Sequence, residues 1–357
     1  MSTSTNIRAA EVVLPCPELA LTIAFFVDVL GFRLDAIAPA DAPRTALLSG
    51  HGLRLRLLQG AAGAPGVLRL CCDDPARVAG GAGELVAPNG TRVELVAAAP
   101  PPELPPLVPA LVLTRAGDDA HRGVGRAGMR YRDLIPGHLG GRFIGSQIGI
   151  VAGGPVPDYV HYHIVRFQLI YCLRGWVRVV YEDQGPPFEL HAGDCVLQPP
   201  HIRHRVLESS PGLEVLEVSC PAEHETFADH ELALPTAELR PERDFGGQRF
   251  VHHQAASARW DAWRFPGFLA RDTGIAAATA GLADVRVIRP HGADATPDAR
   301  HDGELLLWFV LAGSVTWSGP RDESLAAGDC VVVPPALPHA LTACSPDLEL
   351  LEVRLPA

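Results

Sequence analysis

The residues best suited to chemistry lie in Tyr159-Val160-His161-Tyr162-His163, where two histidines stand two apart. On an extended strand residues i and i+2 face the same side, so both imidazoles can meet one metal ion. Gln168 follows after four intervening residues, and Gly175 is placed to close the strand seven further on. A second segment, Gly193-Asp194-Cys195-Val196-Leu197-Gln198-Pro199-Pro200-His201-Ile202-Arg203-His204, returns another histidine after a turn. Neutral imidazole is a common ligand for first-row transition metals. Tyr159, Arg166 and Arg203 are the catalytic candidates beside these histidines, with Tyr162 also flanking them. An arginine there can hold a carboxylate or enolate, and its plainer role is a surface salt bridge. His191 and His201 belong to turns and are expected to be exposed.

The elements that must position these side chains are short strands. From about residue 125 onward the chain reads as strands separated by turns, the profile of an all-β sandwich or barrel. The pattern also repeats. Leu173-Arg174-Gly175-Trp176-Val177 corresponds to Leu311-Ala312-Gly313-Ser314-Val315, and Ala192-Gly193-Asp194-Cys195-Val196 to Ala327-Gly328-Asp329-Cys330-Val331. Pro199-Pro200-His201-Ile202-Arg203-His204 corresponds to Pro334-Pro335-Ala336-Leu337-Pro338-His339. Strands ending at Ile150 and Ile288 lie 25 residues before Gly175 and Gly313. Four landmarks in one order point to an internal duplication. Counting by the same offsets puts Ala299, His301, Leu306 and His339 at the second copy's equivalent positions. Two of the four side chains survive there. A replacement ligand would have to come from His291, Asp298, Asp302 or Glu304, and a structural role is the expectation for this copy.

The paired histidines, the amide and the glycine, followed by a glycine, a proline and a final histidine, resemble the two signature motifs of the cupin superfamily. The resemblance covers most of residues 143–220 and implies a jelly-roll barrel with His161, His163, Gln168 and His204 as metal ligands inside its mouth. Gln168 stands where most metal-binding cupins carry glutamate. A neutral amide leaves more net positive charge on the ion, which raises its Lewis acidity and weakens its retention. The implied cofactor is one divalent transition metal ion, with Fe, Zn, Ni, Mn and Cu all compatible with the ligand set.

Upstream, the proline-rich stretch Ala99-Pro100-Pro101-Pro102-Glu103-Leu104-Pro105-Pro106 marks a boundary, since consecutive prolines favour stiff extended linkers. Before it, Glu11-Val12-Val13-Leu14 reads as a strand and residues 20–30 as a helix that Gly31 ends. Leu53-Arg54-Leu55-Arg56-Leu57 alternates at period two, and Pro88-Asn89-Gly90 turns into a last strand, Thr91-Arg92-Val93-Glu94-Leu95. This order over about residues 7–97 resembles the glyoxalase/vicinal-oxygen-chelate family. Glu11 falls where that family commonly has a histidine and Glu94 matches its usual glutamate, without accompanying histidines, so a metal-free module is expected. The expected fold is mainly β, two tandem jelly-roll cupin barrels preceded by a small α+β (βαβββ-like) domain. The boundaries are 1–98 for that domain, 99–124 for the linker, 125–226 for barrel 1, 227–245 for a connector and 246–357 for barrel 2.

Composition narrows the function. The net charge of −11 argues against a nucleic-acid partner, which needs a basic field. The chain has no lysine, which excludes a lysine Schiff base or a P-loop lysine. Eight scattered cysteines form no CxxC pair and fit reduced thiols. No apolar run reaches membrane-spanning length, and Met1–Asn6 shows no start of a secretory signal, so a cytoplasmic protein without a membrane partner is expected. The leading functional expectation is a mononuclear metal enzyme acting on a small oxygen-rich molecule, most simply a dioxygenase. The three-histidine-plus-glutamine set also looks similar to that of bicupin-type polyketide cyclases, which implies a Zn-dependent cyclase or isomerase. The third expectation is a non-catalytic small-ligand-binding protein, and a homodimer is the candidate higher assembly.

Overall fold

The computed structural model describes residues 7–98, 100–118, 122–124 and 129–356. Met1–Asn6, Ala99 of the proline-rich stretch and residues 125–128 at the expected start of barrel 1 lie outside them. The chain divides into two compact units, Met1–Pro101 and Pro102–Ala357. Among the described residues no helix is long and apolar enough to cross a membrane.

In the first unit, strand Val12–Pro15 is followed by an α-helix at Leu19–Ala24 and strands Arg33–Ala38, Thr45–Gly50 and Leu53–Leu58. Val12–Pro15 pairs in parallel with Leu53–Leu58, and Thr45–Gly50 and Arg33–Ala38 extend the sheet antiparallel. Leu19, Thr22, Phe26 and Leu30 recur at helical spacing and are buried. The expected single α-helix departs from regularity in its second half, where Phe25–Val29 forms a π-turn closed by Leu30 N to Phe25 O. Phe25 and Phe26 pack edge to face at 5.8 Å in this wider turn. A smaller sheet holds Val67–Cys72, Arg92–Ala97 and Glu84–Val86. Glu11 is ion-paired to Arg56 at 2.7 Å, and Glu94 lies 3.5 Å from Arg92.

The second unit is built from two repeats. In the first, a seven-stranded sheet orders Val251–His253, Cys195–Leu197, Phe167–Arg174, Leu213–Cys220, Ile144–Ile150, Arg130–Asp133 and Arg122–Val124. It faces a sheet of Phe188–His191, Trp176–Tyr181, His204–Ser209, His161–His163 and Thr226–Ala228. The second repeat matches this with Asp261–Ala262, Phe268–Asp272, Asp284–Pro290, Glu349–Leu355, Leu305–Ala312, Cys330–Val332 and Val112–Thr114 in one sheet. Asp322–Ala326, Ser314–Ser318 and Ala340–Thr342 form its facing sheet.

Period-two alternation divides the work of the central strands. Phe167, Leu169 and Tyr171 join Leu305, Leu307 and Phe309 in one hydrophobic core shared by both repeats. The alternate residues Leu306, Trp308 and Val310 fill the second repeat's own interior. Both faces are therefore buried, which is why Leu305-Leu306-Leu307-Trp308-Phe309-Val310 is a continuous apolar run.

The repeats exchange edge strands. Val112–Thr114, in the stretch expected to be linker, pairs with Cys330–Val332 in the second repeat's sheet. Val251–His253, expected within barrel 2, pairs with Cys195–Leu197 in the first. Each exchanged strand covers an edge that would otherwise expose unpaired backbone groups. The two Ala-Gly-Asp turns latch the exchange. Asp194 accepts from the backbone of His191 within its turn and of Ala255 just past the exchanged strand. Asp329 does the same with Ala326 and Ala116. The landmark glycines have a matched reason too. Gly175 and Gly313 have φ of +75° and +71°, and an added Cβ would lie 2.3 Å from Ser210 Oγ and 2.4 Å from Ser345 Oγ. Asp194→Ala removes two acceptors from backbone N–H groups and should lower the unfolding free energy by about 1–3 kcal/mol. Urea denaturation measures the loss, and hydrogen exchange should show the Ala255 amide losing protection first.

Candidate metal centre

His161 and His163 share one face of their short strand, and His204 opens the neighbouring strand directly opposite His161 in the antiparallel ladder. Their ligand atoms all lie within 4.8 Å of one another, and His161 and His204 are buried. Each ring is oriented by its Nδ1. That atom lies 2.8 Å from Tyr159 O in His161, 3.0 Å from Ile202 O in His204 and 3.3 Å from Glu225 O in His163. A nitrogen facing a carbonyl must carry the proton, so all three rings are in the tautomer that bears its lone pair on Nε2, the atom through which a metal would bind. Three imidazoles converging in this way form a donor set that fits a divalent transition metal.

The fourth expected ligand, Gln168, is placed on the facing sheet by its position opposite Ser219. A chain of hydrogen bonds fixes which way its amide points. Burial, with the charge of Glu217 next, holds the Tyr181 phenol far above its ordinary pKa, so it is a donor. It donates to Gln198 Oε1 at 2.8 Å. Gln198 Nε2 therefore faces both Gln168 Oε1 at 3.1 Å and His204 Nε2 at 3.2 Å. Gln168 Nε2 in turn donates to Glu217 Oε1 at 2.8 Å, and Ser219 Oγ donates to the same oxygen at 2.9 Å.

These groups line a cavity of about 440 Å³ whose other walls include Ile148, Ile170, Val179 and Val215. Among the described lining residues Glu217 is the one carboxylate, and no arginine is present. Larger clefts of about 560 and 660 Å³ elsewhere hold none of the three histidines. Glu217, Gln198 and Tyr181 were not singled out from the sequence. A signal for Glu217 existed in the duplication: Leu213-Glu214-Val215-Leu216-Glu217-Val218 aligns with Leu348-Glu349-Leu350-Leu351-Glu352-Val353. A repeated acid inside an apolar strand requires a partner on both copies.

The structure separates the catalytic candidates. Tyr159 lines the cavity and packs on His161 with ring centroids 5.7 Å apart. Arg166 lies outside the lining, because its guanidinium pairs with Glu304 at 2.9 Å beside Arg142. Arg203 is also outside, bonded to Asp229 at 3.2 Å and stacked 4.2 Å over Tyr162. Both arginines take the salt-bridge role. His191 is exposed as expected, whereas His201 is half-buried and lies near Tyr162, 5.9 Å between centroids. In the second repeat His301 and His339 are buried with ring centroids 6.3 Å apart. Among the described residues they join no group of three metal-ligating side chains.

Comparison with known proteins agrees with this architecture. The cupin domain model matches twice, over residues 148–218 and 285–353. The two repeats are cupin barrels in tandem. No curated protein matches the chain. Among solved structures, a salicylate 1,2-dioxygenase from Pseudaminobacter salicylatoxidans aligns with TM-score 0.53 at 15% identity, covering 71% of this chain and 87% of that one. Oxalate decarboxylase from Bacillus subtilis aligns with TM-score 0.50 at 14% identity, covering 68% and 76%. At these identities the likeness is one of fold. The first cupin barrel carries the three-histidine cluster and the second does not.

Elemental mass spectrometry of wild type should find metal that His161→Ala and His204→Ala both lose. Tyr181→Phe leaves every ligand in place and frees the Gln198 amide to turn. It should weaken metal retention by about ten- to a hundredfold, read by competition with a chelator.

Proposed function

We propose that the first cupin barrel is a mononuclear metal-dependent active site that oxidises a small oxygen-rich organic substrate with O₂. The observation that supports this reading is the convergence of three tautomer-fixed imidazoles in an apolar cavity with Gln168 beside them. A divalent transition metal held by His161, His163 and His204, with Gln168 as the neutral fourth donor, would supply Lewis acidity and redox chemistry.

The chain's own residues do the rest. The apolar walls exclude water from the reacting groups, which strengthens every polar contact inside. Both hydrogen bonds to Glu217 end on Oε1, so among the described residues Oε2 is left to accept from a substrate hydroxyl. Tyr159 closes the cavity beside His161 and offers an aromatic face to a planar substrate. Tyr181 and Gln198 hold the Gln168 amide and the His204 ring in register.

Glu217 also favours a second reading. A carboxylate beside a Lewis-acid site can take a proton from carbon next to a carbonyl, which gives isomerase or cyclase chemistry without O₂. In both readings the N-terminal unit is a glyoxalase-like module whose Glu11 is occupied by Arg56 and Arg54.

An oxygen electrode, with the metal-loaded protein and a panel of catechols, enols and hydroxyaromatic acids, tests the first reading. Stoichiometric O₂ uptake with product formation is expected, and equal turnover under argon would establish the second reading in its place. Glu217→Gln should slow turnover by about a hundredfold or more while keeping the metal.

A further inference from the structure

The second cupin barrel keeps the frame of the first site and reverses its charge. Leu306 faces Arg354 across the ladder, as Gln168 faces Ser219. Glu352, the counterpart of Glu217, is closed off by Arg264, which meets its two oxygens at 2.6 Å each, and by Trp308 Nε1 at 2.8 Å. That pair is neutral as a unit. Arg354 is not so balanced: among the described residues its guanidinium has no hydrogen bond or ion pair, and it lines a cavity of about 210 Å³. Arg300 stands at the same cavity with one nitrogen on Ala336 O at 3.2 Å. The lining thus carries more arginine than carboxylate, which disfavours a divalent metal here.

The two surviving histidines both line this cavity. His301 is 8% exposed, and its Nε2 lies 2.8 Å from Val333 O, so Nε2 carries the proton. Its Nδ1 is then a buried lone pair without any partner. His339 donates through Nδ1 to Leu337 O at 2.9 Å, which leaves its Nε2 as a second lone pair. Burial pushes both imidazoles below their ordinary pKa and keeps them neutral. A buried acceptor without a donor costs free energy that a ligand can recover.

We propose that this cavity binds a small 2-hydroxycarboxylate, its carboxylate forked by Arg354 and its hydroxyl donating to the His301 imidazole. A guanidinium matches the planar carboxylate with two parallel hydrogen bonds. The hydroxyl fills the orphan acceptor that a simple carboxylate would leave unpaired. Phe265, Leu306 and Ala299 give the cavity an apolar side for a short carbon chain. This assignment stands apart from the chemistry proposed for the first barrel.

Calorimetric titration of the full-length protein with lactate, propionate and inorganic phosphate tests it. Lactate should bind at one site per chain, and propionate, which lacks the hydroxyl, should bind about tenfold more weakly. Arg354→Met should abolish lactate binding, and His204→Ala, which cripples the first barrel's donor set, should leave it unchanged. If Arg354→Met does not fold, Arg354→Lys, which keeps charge without the fork, should weaken lactate about tenfold. A crystal soaked with lactate should show its carboxylate beside Arg354. No lactate binding, tighter binding of phosphate, or equal binding of propionate would overturn the assignment. So would loss of binding in His204→Ala with retention in Arg354→Met.

Discussion

Face-to-face packing of the two seven-stranded sheets is the constraint on which the larger unit depends. It claims every second residue of the central strands for the core shared between the barrels. The alternate residues must then point into one barrel or the other, whatever their polarity. Gln168 and Glu217 in the first barrel, and Glu352 and Arg354 in the second, are polar side chains delivered to apolar interiors by this parity. An interior carboxylate or amide of this kind is tolerated only when it is paired. The Tyr181–Gln198–Gln168–Glu217 chain meets that demand in one barrel, and the Arg264–Glu352–Trp308 cluster meets it in the other. The same packing explains why the edge strands are exchanged. A sheet pinned on its back face by the other repeat cannot close on itself, and the chain entering each repeat is already beside the opposite edge.

Much of this was legible in the residues because it is local. The i, i+2 spacing of His161 and His163 and the turn returning His204 are short-range facts, and the imidazoles do converge. The repeated glycines and aspartates marked the duplication because each performs a local task in its turn. What stayed hidden depends on long-range pairing. Nothing within Val112–Thr114 distinguishes a linker from a strand serving a sheet more than two hundred residues away. Arg166 sits in the connection between two site residues, yet Glu304 draws it to the other repeat. Glu217 required knowing which face of Leu213–Cys220 turns inward, and Gln198 required knowing that Tyr181 lies within reach.

The divergence of the two barrels shows how little must change to alter a site's preference. The frame retains a histidine at His204 and His339, a carboxylate at Glu217 and Glu352, and matched registers across the central ladder. In the first barrel the carboxylate is met by an amide and a hydroxyl, which leave its charge in place and keep the cavity hospitable to a cation. In the second, Arg264 cancels the carboxylate and Arg354 occupies the position of Ser219. Coulomb interactions in such interiors are stronger than in water, so a guanidinium there opposes the binding of a metal cation. Charge at one strand position thus adds to the difference that the three-histidine cluster makes between the two barrels.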